Sequence, residues 1–398
     1  MSAKPAALNL ALQRFVDEQY AITVRDQHLL VHDVPYVAAD RTVKRGTLAC
    51  TFITNADVAQ PPDSHQAWFS GEFPCYPDGK EIVALGLDKQ VRELFPGFVT
   101  NAWFSNKPPN GFADHYTKMT HYIRVISDQA RAVEAEVDAR TGKDPVIYAN
   151  DPVFRYPDSA SARGEYLATS ERLRLKKLAI IGLGGTGGYV LDQVAKTPVT
   201  EVHLFDGDEF LEHNAFRAPG AARAEELAQR MQKVAYFKQR YDPMRQGIIE
   251  HPYYVTADNI AELQDFEFVF LCVDKGPMRA LIGGYLRERS IPFIDCGMFV
   301  QVDPASQSLF GTCRVTLMTA DHNGHWEGKV PLGEDAEDEN LYDKSVQVAD
   351  MNAMNALLAV MKWKQIYGFY RDDFKPHQIL FSVSSPSLTR SELGGTSP

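Results

Sequence analysis

The chain has 398 residues, more than one average domain, and its length predicts two domains. Hydrophobic residues make up 44% and charged residues 23%, as in an ordinary soluble globular protein with a sizeable core. The formal net charge is −11, which argues against nucleic-acid binding, because neutralising phosphates requires clusters of Lys and Arg. An acidic surface would instead suit a basic protein partner.

The cysteines predict a reducing compartment, which we take to be the cytoplasm. They are odd in number and contain no C-x-x-C pair, so neither a disulfide framework nor a cysteine-based structural zinc is expected. The five are Cys50, Cys75, Cys272, Cys296 and Cys313. Membrane insertion is not expected either, since no apolar run is long enough to span a bilayer. Arg14 and Asp17 also come too early for the apolar core of a signal peptide.

Residues 1–160 are predicted to form a mixed α/β domain. Alternating apolar residues and turn-rich stretches delimit short elements. The predicted elements are a helix over 6–19, strands over 28–37 and 46–53, and a helix over 117–140. The polar, Pro-containing stretch 150–166 is predicted to link this domain to the next.

Residues 161–398 are predicted to form a doubly wound, mostly parallel, Rossmann-like α/β domain, because apolar strands alternate with amphipathic helices. The predicted strands cover 177–183, 201–206, 247–255, 266–274, 291–297, 311–319 and 377–383. The predicted helices cover 188–196, 224–241, 278–290 and 349–368. An acidic stretch without periodicity, 321–345, is predicted to be an exposed loop.

A glycine-rich loop, GLGGTG, follows the first strand of the second domain and opens the next helix. It contains Gly182, Gly184, Gly185, Thr186 and Gly187. Absent side chains let the backbone approach a nucleotide, and a helix N-terminus offers unpaired N–H groups to phosphate. No Gly-Lys-Ser/Thr follows, so this is not a P-loop and phosphate charge must be met by other residues.

Acidic residues end the second strand of this domain. Asp206 comes about twenty residues after the glycines, where an acid binds ribose hydroxyls in dinucleotide-binding folds. Asp208 lies two positions further on and is expected to assist. The alternative is that these acids only cap a turn at the strand end.

Four further polar residues fit one task together with the glycine loop. They are Asn214, Arg217, Lys233 and Asp274. Two cations and an amide can neutralise charge that grows on a triphosphate under attack, and a carboxylate at a strand end can hold Mg²⁺. Each residue also has an ordinary structural interpretation, such as a turn, a solvated charge or a helix cap.

These motifs resemble the superfamily of ThiF, MoeB and the ubiquitin-activating enzymes. The resemblance covers residues 165–370 and rests on GLGGTG, Asp206, NAFR (214–217), Lys233 and DKGPMR (274–279). Lys233 sits a few residues later than the family pattern. The resemblance implies adenylation of the C-terminal glycine carboxylate of a ubiquitin-like protein, with MgATP as co-substrate and pyrophosphate as leaving group.

The resemblance also implies a homodimer in which an upstream arginine reaches the partner's site. Arg163 is the candidate for that residue, and Arg155 is the alternative. Relatives that form a thioester keep a cysteine in or near the loop after the adenylation strands, but 321–345 has none. The chain therefore stops at the adenylate, passes the acyl group to a partner's cysteine, or uses Cys313 or Ser345.

The N-terminal domain resembles an uncharacterised domain fused to ThiF-type proteins in bacterial ubiquitin-like conjugation operons. The runs HDVPYV, HQAWFSGEFPC and DHYTKMTHY carry this resemblance, and we expect the domain to bind the ubiquitin-like protein or a conjugating enzyme. His65, His115, His121 and Asp114 match no recognisable metal-ligand spacing, so satisfied or surface histidines are expected. The C-terminal SELGGTSP is expected to be a flexible terminus.

Two other functions stay open at the level of sequence. One is a nicotinamide-dependent oxidoreductase on a Rossmann sheet, which would not need the N-x-x-R pair, Lys233 or Asp274. The other is a non-catalytic scaffold that holds a ubiquitin-like protein and its conjugating enzyme.

Overall fold

A computed structural model describes residues 10–55, 58–86, 88–144, 146–147, 153–332 and 346–391. The chain divides into two compact units, Met1–Glu171 and Arg172–Pro398, here called unit 1 and unit 2. Ser345, together with the rest of 333–345 and the terminal 392–398, lies outside the described residues.

Unit 1 is built on a sheet with strand order β10-β1-β2-β3-β6-β9, in which every described pairing except β1–β10 is antiparallel. The strands of unit 1 are β1 (Ile22–Arg25), β2 (His28–Val37), β3 (Val43–Thr51), β4 (Thr54–Asn55), β5 (Val58–Ala59), β6 (Ala67–Ser70), β7 (Arg92–Phe95), β8 (Phe98–Thr100), β9 (Ala102–Phe104) and β10 (Val146–Ile147). Its helices are α1 (Leu10–Asp17), α2 (His115–Arg131), α3 (Ser159–Arg163) and α4 (Leu167–Ser170), with a 3-10 turn at Val83–Leu85.

Helix α2 packs one face against β2 and β3 of this sheet. Asp114 caps it, because its carboxylate accepts from the backbone N–H of Thr117 at 2.6 Å, and such a cap fixes where a helix begins. The buried residues Met119, Tyr122 and Ile126 follow helical spacing and join the core between helix and sheet. Unit 1 is thus the mixed α/β fold that the sequence predicts.

Unit 2 contains one sheet with strand order β13-β12-β11-β14-β15-β16-β17-β18. Its strands are β11 (Lys177–Ile181), β12 (Glu201–Phe205), β13 (Ile248–His251), β14 (Phe268–Leu271), β15 (Phe293–Val302), β16 (Leu309–Met318), β17 (Gln378–Ser382) and β18 (Ser387–Ser391). Its helices are α5 (Gly185–Val194), α6 (Glu212–Ala215), α7 (Ala224–Ala228), α8 (Lys233–Tyr241), α9 (Gly276–Glu288), α10 (Trp326–Lys329) and α11 (Ala349–Ile366), with a 3-10 turn at Ile260–Asp265. Another 3-10 turn, Glu171–Leu173, begins at the last residue of unit 1.

The first five strands of this sheet are parallel, and β16, β17 and β18 extend it antiparallel. Buried residues lie on both faces, with α5 and α11 on one side and α9 on the other. A parallel sheet needs helices on both faces because its crossovers cover them. The predicted doubly wound, mostly parallel sheet is confirmed.

One predicted helix, 224–241, is two helices in the structure. The chain adopts a left-handed backbone at Arg230, with φ of 47°, between α7 and α8. The Phe210 N–H donates to the Met231 carbonyl at 2.8 Å, and the Lys233 N–H donates to the Asp208 carbonyl at 2.9 Å. These backbone hydrogen bonds hold the segment between α7 and α8 against the segment that follows β12. None of the helices in the described ranges is long and apolar enough to cross a membrane.

Candidate functional site

The candidate site lies at the carboxyl ends of three adjacent parallel strands, β12, β11 and β14. Ligands of open α/β sheets bind at this edge, where strand ends and helix N-termini meet. The glycine loop follows β11, Asp206 and Asp208 follow β12, and Asp274 follows β14. The fold therefore brings together three segments that are far apart in the sequence.

The glycines of the loop serve different physical purposes. Gly182 has a φ of +89°, which favours glycine, and a Cβ there would lie 2.7 Å from the carbonyl oxygen of Cys272. A Cβ on Gly187 would lie 1.9 Å from the Gly182 carbonyl oxygen, and one on Gly185 would lie 2.3 Å from the Asn352 side chain. A Cβ on Gly184 would meet nothing within 4 Å. Gly184, the N-cap of α5, is thus the position where a ligand can approach the backbone.

Thr186 has its hydroxyl engaged inside the protein. Its Oγ1 donates to Oδ1 of Asn352 at 3.0 Å, and the Asn352 amide donates to the Val348 carbonyl at 3.0 Å. Asn352 is buried in the first turns of α11 and comes from a helix that motif spacing does not connect with the loop. The first turn of α11 therefore contacts the glycine loop through Asn352 and stabilises it.

Asp206 is buried and holds the loop and the strand end together. Its carboxylate accepts from the backbone N–H of Leu183 at 2.6 Å and from that of Asp208 at 2.9 Å. The side chain of Asp206 is 6% exposed, whereas that of Asp208 is 50% exposed. Asp208 is therefore the more accessible of the two acids predicted to meet the ribose.

Lys233 reaches both acids from the first turn of α8. Its Nζ lies 2.6 Å from Asp208 and 3.4 Å from Asp206, and its side chain is buried. Burial opposes ionisation of Asp208, but hydrogen bonds from Lys233 and from the Tyr254 hydroxyl outweigh it and lower the pKa of that carboxyl. In the free protein the Lys233 charge is thus already neutralised.

Tyr254 is a member of this group that sequence reasoning missed. Its hydroxyl hydrogen-bonds Asp208, and its ring lies about 3 Å from where a Cβ on Gly207 would be. The hydrogen bond to Asp208, followed by burial, raises the pKa of Tyr254 to about 12. A tyrosine in a loop after a strand has no periodic signal, so only the fold reveals it.

Arg217 is a half-buried cation of the site. Its Nε is buried and has no hydrogen-bond acceptor among the described residues. Burial lowers the pKa of its guanidinium, and the charges of Asp274 and Asp208 oppose that shift. Asn214 holds the preceding turn, because its Oδ1 accepts from the backbone N–H of Leu211 at 2.9 Å. A half-buried guanidinium whose Nε has no described acceptor is a favourable place for an anion.

Asp274 is exposed at the end of the segment after β14. Within the part of the chain that the structure describes, no group of three or more His, Cys, Asp or Glu side chains could hold a metal by itself. Asp274 by itself offers one carboxylate, the type of ligand that Mg²⁺ takes from a protein when substrate phosphates supply others.

Two candidate arginines lie in unit 1. Arg163 ends α3, and its Nε is 3.6 Å from Asp63 of the same unit. Its side chain is 55% exposed, so it remains accessible. Arg155 is exposed in the turn before α3.

Cys313 does not have the surroundings of a nucleophile. It is fully buried, its thiol donates to the Met351 carbonyl, and burial raises its pKa to about 12. A reactive cysteine requires an accessible thiolate.

The polar residues of unit 1 considered for metal binding each have another partner. His115 is bonded to the Thr51 carbonyl, His65 to Ser105 and His121 to Asn106. Asp114 caps α2. These side chains therefore serve the internal structure of unit 1.

Comparison with known proteins identifies both parts of the chain. Residues 10–159 match a domain of unknown function, DUF6791. Residues 161–359, half of the chain, match the ThiF family.

The individual proteins that resemble this chain share a quarter or less of its sequence over the matched region. The tRNA threonylcarbamoyladenosine dehydratase of Escherichia coli (strain K12) is 25% identical over 137 residues, which cover 32% of this chain and 48% of that protein. The chain thus matches about half the length of this curated relative. The crystal structure of E. coli MccB with MccA-N7isoASN shares 15% identity and a TM-score of 0.48, over 60% of this chain and 73% of that one. E. coli MccB with ATP shares 15% identity and a TM-score of 0.46, over 60% and 73%. Because the matched half of the sequence contains the glycine loop and the acids and cations around it, the chain belongs to the ThiF family.

Proposed function

We propose that this ThiF-family protein is an ATP-dependent adenylating enzyme that activates the C-terminal glycine carboxylate of a ubiquitin-like protein. The observation that carries the proposal is Arg217, a half-buried guanidinium whose Nε has no acceptor among the described residues. It shares its sheet edge with the N-terminus of α5, where Gly184 leaves open space. The triphosphate group of ATP is an anion that both the guanidinium and the helix N-terminus would bind.

The reaction needs positioning and charge stabilisation more than acid–base chemistry. The glycine carboxylate is already ionised at neutral pH, so it can attack the α-phosphorus of ATP without a general base. A carboxylate oxygen forms a bond to that phosphorus, the bond to the bridging oxygen breaks, and pyrophosphate leaves. Arg217 and Lys233 would neutralise the charge that develops, and Asn214 holds the turn that carries Arg217.

The nucleoside side of the site is assigned to the acids after β12. Asp208, which is half exposed, is the first candidate for the ribose hydroxyls, and Asp206 maintains the shape of the loop. Lys233 exchanges part of its contact with Asp208 for phosphate when the nucleotide binds. Asp274 would hold Mg²⁺, which would screen the phosphates and orient the leaving pyrophosphate.

The ubiquitin-like substrate, the homodimer and the conjugating enzyme are part of the same proposal, and the motif resemblance supports them. In a homodimer Arg163, or Arg155, would reach the partner's site. Unit 1 would bind the ubiquitin-like protein or the conjugating enzyme. Because Cys313 is buried, we expect it to form no thioester. The acyl group would then stay on the adenylate or pass to a cysteine of a partner protein.

The test is ATP–pyrophosphate exchange with a glycine-terminated ubiquitin-like protein, comparing wild type with Asp274→Ala and Asp258→Ala. Both aspartates are exposed in unit 2, so neither change should affect folding. We expect exchange in wild type and Asp258→Ala, and a loss of about 100-fold or more in Asp274→Ala. Absence of exchange in wild type would favour the scaffold, and equal exchange in both variants would remove Asp274 from the mechanism. Tight nicotinamide binding without exchange would favour the oxidoreductase.

A further inference from the structure

Two cysteines follow each other's neighbours on adjacent strands, and one of them, Cys272, lies against the glycine loop. Leu271 of β14 is the register partner of Asp295 of β15, and the next residues along these parallel strands are Cys272 and Cys296. Cys296 belongs to the core on the α5 side of the sheet, and Cys272 packs against the same core. The Cys272 thiol is near enough to that of Cys296 to raise its pKa. They are thus adjacent, on one face and at one height.

The two thiols differ in accessibility. Cys296 is 5% exposed, while Cys272 is partly exposed at the strand end. Interaction with the Cys272 thiol, together with burial, raises the pKa of Cys296 well above its usual range. An oxidant from solvent therefore meets Cys272 first. Cys296 is a weak nucleophile by itself, as Cys313 is, but its reaction with an oxidised Cys272 is intramolecular, so proximity compensates for its small thiolate fraction.

We propose that Cys272 and Cys296 form a reversible disulfide that weakens nucleotide binding at the adjacent site. The oxidant is a peroxide. The Cys272 sulfur attacks one peroxide oxygen, the O–O bond breaks, and one water leaves with Cys272 as a sulfenic acid. The Cys296 sulfur then attacks the Cys272 sulfur, the S–OH bond breaks, and a second water leaves. Two thiols are oxidised, one peroxide is reduced, and a dithiol reductant reverses the reaction.

A disulfide at Cys272 would affect the nucleotide site because Cys272 contacts the glycine loop. Its N–H donates to the Ile181 carbonyl at 2.8 Å, and its carbonyl lies where a Cβ on Gly182 would be only 2.7 Å away. A disulfide holds its two Cβ atoms at about 3.8 Å and so restrains the backbone on either side of it. Closing the bond therefore restrains the segment after β14, and Asp274 is two residues further along that segment.

The effect on the nucleotide rests on the proposed function, but the bond itself does not. The full chain is treated with dilute hydrogen peroxide, alkylated, digested without reduction and mapped by mass spectrometry, and ATP affinity is measured by calorimetry before and after. We expect a peptide that joins Cys272 to Cys296, an ATP dissociation constant raised at least tenfold, and recovery with dithiothreitol.

Two variants separate the switch from general damage. Cys296→Ser should bind ATP as wild type does when reduced, and after peroxide its Cys272 should be trapped by dimedone as a sulfenic acid. Cys313→Ser removes a buried cysteine from the neighbouring strand β16 and should behave as wild type throughout. Dimedone labelling of Cys272 in wild type, at the level seen in Cys296→Ser, would contradict the resolving role of Cys296.

The outcomes of the two proposals are distinguishable. Reduced protein that binds ATP but yields no cross-link between Cys272 and Cys296 would overturn the disulfide and leave adenylation standing. A cross-link that leaves ATP affinity unchanged would overturn the switch. Reduced wild type that binds no ATP would count against the proposed function, while the peptide map would still decide whether the disulfide forms.

Discussion

The ammonium nitrogen of Lys233 lies 2.6 Å from the Asp208 carboxylate and 3.4 Å from that of Asp206. The lysine and Asp206 are both buried, with side chains 7% and 6% exposed. Lys233 therefore has a structural task in the free protein as well as the proposed one in the complex. Phosphate would compete with Asp208, the more exposed acid, and would leave the contact with Asp206 in place.

Lys233→Met should destabilise unit 2 by about 3 kcal/mol, because Asp206 would keep its charge in a buried position without a cation. Asp208→Asn is the matched variant, since Lys233 would still have Asp206, and it should cost less than about 1 kcal/mol. Chemical denaturation at pH 7.5 measures the free energy of unfolding of both variants and of wild type. Equal costs would show that the buried pair does not stabilise the strand end.

Arg217→Ala should lower ATP affinity at least tenfold and the rate of ATP–pyrophosphate exchange by about 100-fold, because it removes the cation proposed to face the phosphates. The same change should leave the fold as stable as wild type or slightly more so, since a buried Nε without an acceptor costs free energy. Calorimetry with ATP and thermal unfolding provide the two readouts.

Arg230→Ala is the control for that experiment. Arg230 lies in the same unit, its side chain is 68% exposed, and it pairs with Glu209 at the surface. It should bind ATP as wild type does. If Arg217→Ala lost stability but kept its ATP affinity, Arg217 would be a packing residue.

Two alanine substitutions in the glycine loop should have opposite effects. Gly187→Ala places a Cβ 1.9 Å from the Gly182 carbonyl oxygen, so we expect a loss of at least about 3 kcal/mol in stability. Gly184→Ala meets nothing within 4 Å and should fold normally, yet its methyl group would occupy the approach to the α5 N-terminus.

Thermal unfolding and ATP titration of both variants test this contrast. Gly184→Ala should unfold within a few degrees of wild type while its ATP affinity falls about tenfold. Normal ATP affinity in Gly184→Ala would place the nucleotide elsewhere.

Acid should destabilise unit 1 through His28. This residue is 1% exposed between Trp68 and Phe95, its Nδ1–H donates to the Asp26 carbonyl, and burial lowers its pKa to about 4. Between about pH 6.5 and pH 4 the unfolded chain binds a proton that the folded chain does not, so stability falls as pH falls. One such histidine costs about 2 kcal/mol at pH 5.

Denaturation of wild type and His28→Asn at pH 7.5 and pH 5.0 checks this. Asparagine keeps a donor near Asp26 but does not titrate, so the variant should lose less stability on acidification than wild type. Part of the pH dependence should survive, because burial also lowers the pKa of His115 to about 4. Identical losses in the two proteins would exclude His28 as a source.

The sequence predicted the sheet of unit 2 well because its strands are continuous apolar runs. Such runs are typical of strands buried on both faces, and β11 and β14 are of this kind. Strand β2 lies over the predicted 28–37 for a related reason, since its apolar pattern and flanking turns are local. The break between α7 and α8 was not predicted, because the bonds from Lys233 and Phe210 that cause it come from residues distant in the sequence.

The glycine loop, the acids after β12 and the family are determined by the sequence itself, since each depends on residue types at fixed spacing. Only the tertiary structure decides what each residue touches. It shows that Gly187 is required by packing and Gly184 is open, that Lys233 is already paired, and that Arg217 Nε has no described acceptor. It also brings Tyr254 and Asn352 to the site and sets Cys272 beside Cys296. Such contacts join residues that are far apart in the sequence and meet only when the sheet forms, so residue spacing along the chain does not predict them.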